Sequence, residues 1–376
     1  MKIALLSETL AGEQRVAASP ETVKKFTGWG AEVAVETGAG SGAAVTDADY
    51  EAAGATIAPD RASAVSGADV ILGVRAPDLL SLAGAKDGAV LAAILNPFQS
   101  ADTLAAYAKA GITAMAMDFL PRITRAQSMD VLSSQANLAG YKAVLDAASA
   151  YGRAFPMMMT AAGTVSAARV FVMGVGVGGL QAIATARRLG AQVSATDVRA
   201  ATKEQIESLG AKAIFVEDVA GIEGEGTGGY ASEMSEEYQA AQAKLVSDHI
   251  ARQDIVITTA LIPGRPAPRL VSDAQIASMK PGSIIVDLAA PQGGNVEGMV
   301  ADQDTIIHGV TVIAPTNINS SLAEVSSQLY ARNMWNFLSA FWDEDTKALV
   351  WPEDDEIVTG ARVTHAGTVA NPRLDA

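Results

Sequence analysis

The 376-residue chain contains no cysteine. Disulfides, thiolate nucleophiles and cysteine-ligated metals are therefore excluded. Histidine is almost as scarce. Only His249, His308 and His365 occur, without ligand spacing, and they read as structural or surface residues. Positive charge is in deficit: 27 Lys and Arg face 42 Asp and Glu, for a net −15. Nucleic acid is not expected as a partner, because phosphate binding needs clustered bases. The same deficit argues against adhesion to an anionic lipid surface by charge alone. Long apolar runs are missing too. The longest uncharged stretch, residues 170–186, is short for a membrane span and carries several glycines. The first residues hold no extended apolar segment before Glu8. The expectation is a soluble, cytoplasmic chain.

What is abundant is apolar residues, 49%, and glycine, 34 residues. The length suggests two or three domains. The most informative glycines lie in Arg169-Val-Phe-Val-Met-Gly-Val-Gly-Val-Gly-Gly-Leu-Gln181. Gly174, Gly176 and Gly179 have the G-x-G-x-x-G spacing between an apolar strand pattern and a helical one. Gly174 allows a tight turn, Gly176 lets a pyrophosphate approach the backbone, and Gly179 lets the helix pack on its strand. The helix start offers free N–H groups and a positive dipole end to phosphates. Asp197 then follows a second strand at residues 192–196. An acid there accepts from ribose hydroxyls and repels a 2′-phosphate, which favours NAD(H) over NADP(H). A ligand-free turn and an adenosyl-cofactor pocket are the other readings of this spacing.

Short apolar runs at 3–6, 32–35, 70–74, 89–95 and 113–117 alternate with helical patterns at 20–26, 47–53 and 101–110. Such alternation implies βαβ units and a parallel sheet. A long helix is expected over 127–152, with Leu132, Leu138, Tyr141 and Leu145 near one face. A second series places strands at 170–173, 193–196, 213–216, 255–259, 284–286 and 310–313, enough for a doubly wound sheet. A further helix is expected over 319–341, and the tail from 342 reads as short strands and turns. Met157, Met158 and Met159 read as packing residues, since methionine fills irregular gaps.

Two segments are unusually polar or glycine-rich. Arg122, Arg125, Gln127, Asp130 and Ser133 fall within twelve residues. Gln127 and Ser133 can hydrogen-bond a neutral amide, whereas Arg122 and Asp130 can pair or flank a pyrophosphate or ribose. Helix capping by Ser128 or Asp130 explains part of the pattern equally well. Residues 223–234 concentrate glycines before Tyr230 and Met234, as expected of either a mobile lid or a plain surface insertion.

The segments 122–140, Met157-Met-Met-Thr-Ala-Ala-Gly-Thr-Val165, 174–181, 195–205, Gly228-Gly-Tyr-Ala-Ser-Glu-Met234 and Thr258-Thr-Ala-Leu-Ile-Pro-Gly264 resemble the NAD(H)-binding domain I of proton-translocating nicotinamide nucleotide transhydrogenase. The resemblance covers nearly the whole chain. It is to the separate alpha subunit of bacterial three-subunit forms. It implies an α/β chain with two Rossmann-like domains on parallel sheets, of the alanine dehydrogenase/transhydrogenase domain I type. Residues 134–318 would form the NAD(H)-binding domain, inserted into a discontinuous domain of residues 1–133 and 319–376. The implied activity is direct hydride transfer from NADH to NADP+ held on a partner beta subunit or domain III, coupled to proton passage through membrane subunits. The implied assembly is a homodimer, peripheral on the cytoplasmic membrane face through its partners.

Carried over by position, Arg122, Gln127, Asp130 and Ser133 form the polar loop at the nicotinamide end. Gly174, Gly176, Val177 and Gly179 lie at the pyrophosphate. Asp197, Val198 and Arg199 surround the adenosine ribose. Gly229 and Tyr230 belong to the closing loop, and Gln242 and Leu261 match further nucleotide contacts. Gly178, where many relatives carry alanine, is expected to loosen the helix start. No metal is expected. The nearest alternative is an alanine dehydrogenase-like enzyme, which needs a lysine and a histidine in its first domain. Here the lysine position reads as Gly73, and no histidine is found in the first domain. A non-catalytic NAD(H) sensor is the alternative outside enzymes, and no basic DNA-reading element supports a regulator.

Overall fold

The computed structural model describes residues 1–216 and 236–374. They divide into two compact units, residues 1–135 with 319 onward, and residues 136–318.

The first unit is built on six strands: β1 (Lys2–Leu5), β2 (Glu32–Glu36), β3 (Thr56–Ala58), β4 (Val70–Arg75), β5 (Val90–Ile94) and β6 (Thr113–Ala116). All pair in parallel, in the order β3-β2-β1-β4-β5-β6. A parallel sheet is covered on both faces, which is why β1, β4 and β5 read as continuous apolar runs. One face packs against Phe26, Tyr50, Tyr330 and Phe337, the other against Leu82, Leu104 and Tyr107. The helix Pro20–Gly28 shows how local sequence sets an element. Ser19 and Thr22 form a reciprocal capping box and Pro20 occupies the first turn.

The indoles of Trp29, Trp335 and Trp342 stack in this unit, with ring centroids 4.5 Å apart in both pairs. The tail holds one helix, Glu356–Ala361, where only strands and turns were expected; Asp355 caps it. The short β3 was not expected either.

The long helix runs over Val131–Ala150 and starts later than the pattern suggested. Residues Thr124–Met129 form 3-10 turns instead. Its buried positions in the second unit are Gly140, Ala143, Val144 and Ala147, not a leucine face. Leu132 and Tyr141 are exposed. Close helix contact is the reason. A Cβ on Gly140 would lie 2.0 Å from the Gly178 carbonyl oxygen.

The second unit begins with an antiparallel hairpin, β7 (Met158–Thr160) and β8 (Gly163–Val165). Met157 and Met159 are 64% and 82% exposed, so the methionine run is not packing. Seven further strands form the main sheet: β9 (Arg169–Met173), β10 (Gln192–Thr196), β11 (Lys212–Ala213), β12 (Ile255–Thr258), β13 (Ile284–Asp287), β14 (Asp304–Ile307) and β15 (Val310–Ile313). Their order is β11-β10-β9-β12-β13-β15-β14. Six were expected. The seventh, β14, runs antiparallel to β15 through His308 and Gly309, whose φ values of +50° and +81° suit a two-residue hairpin turn. Among the described residues no helix is long and apolar enough to cross a membrane.

Candidate functional site at the glycine turn

The carboxyl end of β9 runs into the helix Val177–Arg188 through the turn 174–176. The protein itself dictates two of the three motif glycines. Gly174 has φ +96°, and a Cβ there would lie 2.6 Å from Thr259 Oγ1. A Cβ on Gly179 would lie 1.9 Å from the Gly174 carbonyl oxygen. Gly176 is different: it is the helix N-cap, no side chain caps the helix, and its Cβ would meet nothing within 4 Å. The first-turn N–H groups of an α-helix have no intrahelical acceptor. Here they open onto space, with the dipole's positive end behind them. This cradle fits a phosphate group.

The turn is pinned from both sides. Thr259 Oγ1 donates to the Gly174 carbonyl at 3.0 Å from the end of β12. The Val175 N–H donates to Asp197 Oδ2 at 2.7 Å from the end of β10. Asp197 is buried, yet its carboxyl stays below its ordinary value. Burial pushes it up, and hydrogen bonds from Arg199 and Val175 outweigh that. Arg199 donates its backbone N–H and Nε to Oδ1, and Nη2 to Oδ2, each at 2.9 Å. Asp197 thus fits a ribose acceptor by position, but Arg199 engages it in this structure.

Val177 and Leu261 are apolar and 40% and 41% exposed; they belong to the carboxyl edges of the neighbouring β9 and β12. Val198 is half-buried. Gln242 lies in the helix Glu236–Ile250. That helix ends beside the sheet, where His249 Nε2 is 2.8 Å from Ser194 Oγ. Gln242 is seven residues earlier, about 10 Å back along the axis, which brings it level with the carboxyl edge. Gly229 and Tyr230 lie outside the described residues.

In the first unit, Arg122 and Gln127 are exposed on the stretch before the long helix. Asp130 is the helix cap: Oδ1 accepts the Ser133 N–H at 2.9 Å and Oδ2 accepts the Ser133 hydroxyl at 2.5 Å. Asp130 and Ser133 are therefore brought together. Arg125 departs from the loop to pair with Asp355 at 2.5 Å. Gly178 does not loosen its helix. It is buried, and a Cβ there would come 3.1 Å from the Ala136 carbonyl.

A buried ionic cluster also lies in the first unit. Glu13 accepts from Arg15 Nε at 2.7 Å and Nη2 at 2.5 Å, from Arg75 Nε at 2.9 Å, and from the Ser320 hydroxyl at 2.7 Å. Burial raises the Glu13 carboxyl, but these partners overcome it and hold the pKa down at about 2. Nearby, Glu8 accepts the Val74 and Arg75 N–H groups at 2.6 and 3.2 Å, and burial pushes its pKa up to about 7. His365 belongs to this unit too, correcting the expectation of no imidazole there. It sits beside Thr113 at the amino end of β6, the edge opposite Glu8 and Arg75.

Residues 4–139 match the alanine dehydrogenase/PNT N-terminal domain family, and residues 143–372 match its C-terminal domain family. The first portion of the NAD(P) transhydrogenase alpha subunit of Rhodospirillum rubrum, a separate polypeptide, is 53% identical, over 100% of this chain and 99% of that protein. The chain belongs to the NAD(P) transhydrogenase alpha-subunit family. A crystal structure of transhydrogenase from Sinorhizobium meliloti agrees, at 52% identity with a TM-score of 0.89, covering 98% of this chain and 100% of that one. An L-alanine dehydrogenase structure shares the fold at TM-score 0.83 and 24% identity, covering 100% and 98% of the two chains.

In this transhydrogenase alpha-subunit fold, three contributions to the sites escaped the sequence reading. Thr259 holds the glycine turn, Asn295 brackets Ala260 just beyond it, and Glu13 neutralises two arginines. A hint exists only for the last: an acid two residues before Arg15, ahead of the apolar run from Val16 to Ala18.

Proposed function

We propose that this chain binds NADH and presents it for direct hydride transfer to NADP+ held on a partner beta subunit or domain III. One observation carries the reading: the uncapped helix start at Gly176 opens onto space, with Asp197 at the end of the next strand. In this reading the N–H groups of the first helical turn hold the pyrophosphate, with Gly174, Gly176, Val177 and Gly179 shaping the cradle. Asp197 accepts from the adenosine ribose, flanked by Val198 and Arg199, and disfavours a 2′-phosphate. Gln242 and Leu261 complete the nucleotide's surroundings, and Gly229 and Tyr230 are assigned to the covering segment. Arg122, Gln127, Asp130 and Ser133 are assigned to the nicotinamide end. There the Gln127 amide offers neutral hydrogen bonds, and Asp130 fixes the Ser133 hydroxyl.

Bound NADH supplies the hydride. The chain's residues then need only orient the ring and exclude water, so no general acid or base is required of them. The further assembly belongs to the same proposal: a homodimer, with proton translocation in membrane subunits that hold the chain at the cytoplasmic membrane face. The exposed Met157–Met159 edge supports self-association, since exposed apolar groups of this kind mark interaction surfaces.

The test mixes this chain with an NADP(H)-binding partner domain. Hydride exchange between NADH and an NADP+ analogue is expected in the mixture and not in the isolated chain. Exchange by the chain alone, or none in the mixture, counts against the proposal. Gln127→Asn should slow exchange more than it weakens NADH binding, whereas Asp197→Ala should chiefly weaken binding.

A further inference from the structure

Asp197 has no acceptor capacity to spare. A carboxylate offers about four lone-pair sites. Oδ1 takes the Arg199 N–H and Nε, and Oδ2 takes the Val175 N–H and Arg199 Nη2. Two of these four donors are backbone groups that define the turn. The other two belong to one guanidinium, whose side chain is 20% exposed and can rotate outward.

We infer that Arg199 is a displaceable internal occupant of the nucleotide's ribose site, and that ribose hydroxyls bind Asp197 by taking over the positions of its Nε and Nη2. This rests on reading Asp197 as the ribose acceptor for NADH. The exchange has a thermodynamic consequence. The hydroxyls gain two hydrogen bonds to a charged acceptor while two charge-assisted ones are lost, so the net gain is small. Arg199 thereby weakens the grip on the adenosine end and keeps a buried carboxylate compensated when no nucleotide is bound. It is a positioning residue that sets how much affinity the ribose contributes.

The experiment compares 5′-AMP with 2′,3′-dideoxy-AMP, which lacks both hydroxyls, by calorimetry at pH 8 on the full chain. In the wild type the hydroxyls should improve affinity only about threefold. In Arg199→Met they meet an unoccupied carboxylate, and the ratio should rise to roughly thirtyfold, within the usual range for hydrogen bonds to a charged group. Arg199→Lys keeps a cation beside the buried carboxylate without the fork, and should give an intermediate ratio if Arg199→Met fails to fold. The Arg199 Nε–H proton gives an independent readout in the wild type. Its NMR signal should shift and lose protection from solvent exchange with AMP, and not with the dideoxy analogue. Equal ratios in wild type and variants, or an unmoved Nε–H signal while AMP binds, overturns the inference and leaves the NADH reading standing. Failure of the wild type to bind either NADH or AMP overturns that underlying reading, and this inference with it.

Discussion

Replacing Gly176 by alanine separates what the glycine turn does for the fold from what it does for a ligand. At Gly174 and Gly179 an added Cβ would fall 2.6 Å from Thr259 Oγ1 and 1.9 Å from the Gly174 carbonyl oxygen. At Gly176 it would meet nothing within 4 Å, and φ −77°, ψ −167° is a conformation alanine adopts. Alanine there also narrows the unfolded ensemble, worth about 0.4–1 kcal/mol to the folded state. For a unit of this size that is roughly 1–4 °C in Tm. G176A should therefore melt at or slightly above the wild-type temperature. The ligand makes the opposite demand. A phosphate oxygen must come within about 2.9 Å of the first-turn N–H groups, on the open side where the new methyl stands. NADH affinity should fall at least about tenfold, or ~1.4 kcal/mol. Calorimetric NADH titration and differential scanning calorimetry on one preparation measure both quantities. Wild-type NADH affinity in a stable G176A protein would falsify the assignment of this turn to pyrophosphate. A clear drop in Tm would show instead that the space at Gly176 is not open.

Gly140→Ala should destabilise the second unit, because its Cβ would lie 2.0 Å from the Gly178 carbonyl oxygen. The cost should reach the upper end of the ~1–3 kcal/mol for overpacking; an unchanged urea midpoint would refute the close helix contact. Glu8→Gln should flatten a pH dependence. The folded state keeps the Glu8 proton up to about 7, whereas the unfolded chain releases it near 4.5, so folding binds a proton in between and stability falls as pH rises through that window. Urea unfolding from pH 5 to 8 measures the slope, and a wild-type slope in the variant contradicts the argument. Asp130→Ala removes the cap of the long helix and should cost about 1 kcal/mol in thermal unfolding; no loss would mean that Ser133 carries the helix start without it.

The α/β class was legible because strands buried on both faces leave unbroken apolar runs, as in Val70–Val74 and Ile255–Ile257. Elements of three or four half-exposed residues leave no such trace, and β3, β7, β8 and β14 were missed for that reason. Methionine misled, because its plasticity suits a core and a surface equally, and Met159 is exposed. Spacing revealed the three glycines but not their different constraints, which depend on how close Thr259 and the Gly174 carbonyl come. The adjacency of Asp197 and Arg199 was visible; that the guanidinium folds back onto the carboxylate was not, since it follows from a rotamer. The Glu13 cluster was hidden by distance along the chain, with partners 62 and 307 residues away.

The tryptophan stack carries a practical consequence. All four tryptophans of the chain, Trp29, Trp335, Trp342 and Trp351, lie in the first unit. Indole emission is therefore a one-sided optical label. It follows the melting of residues 1–135 with their carboxyl-terminal complement and is silent about residues 136–318, where only tyrosine and backbone signals report. Two near-parallel indoles, 4° apart in plane, should also give exciton-coupled bands in the near ultraviolet. Unfolding curves recorded by tryptophan emission and by far-ultraviolet dichroism will superimpose only if the whole chain unfolds as one cooperative body. A gap between the two curves would read out directly how independently the glycine-turn unit melts.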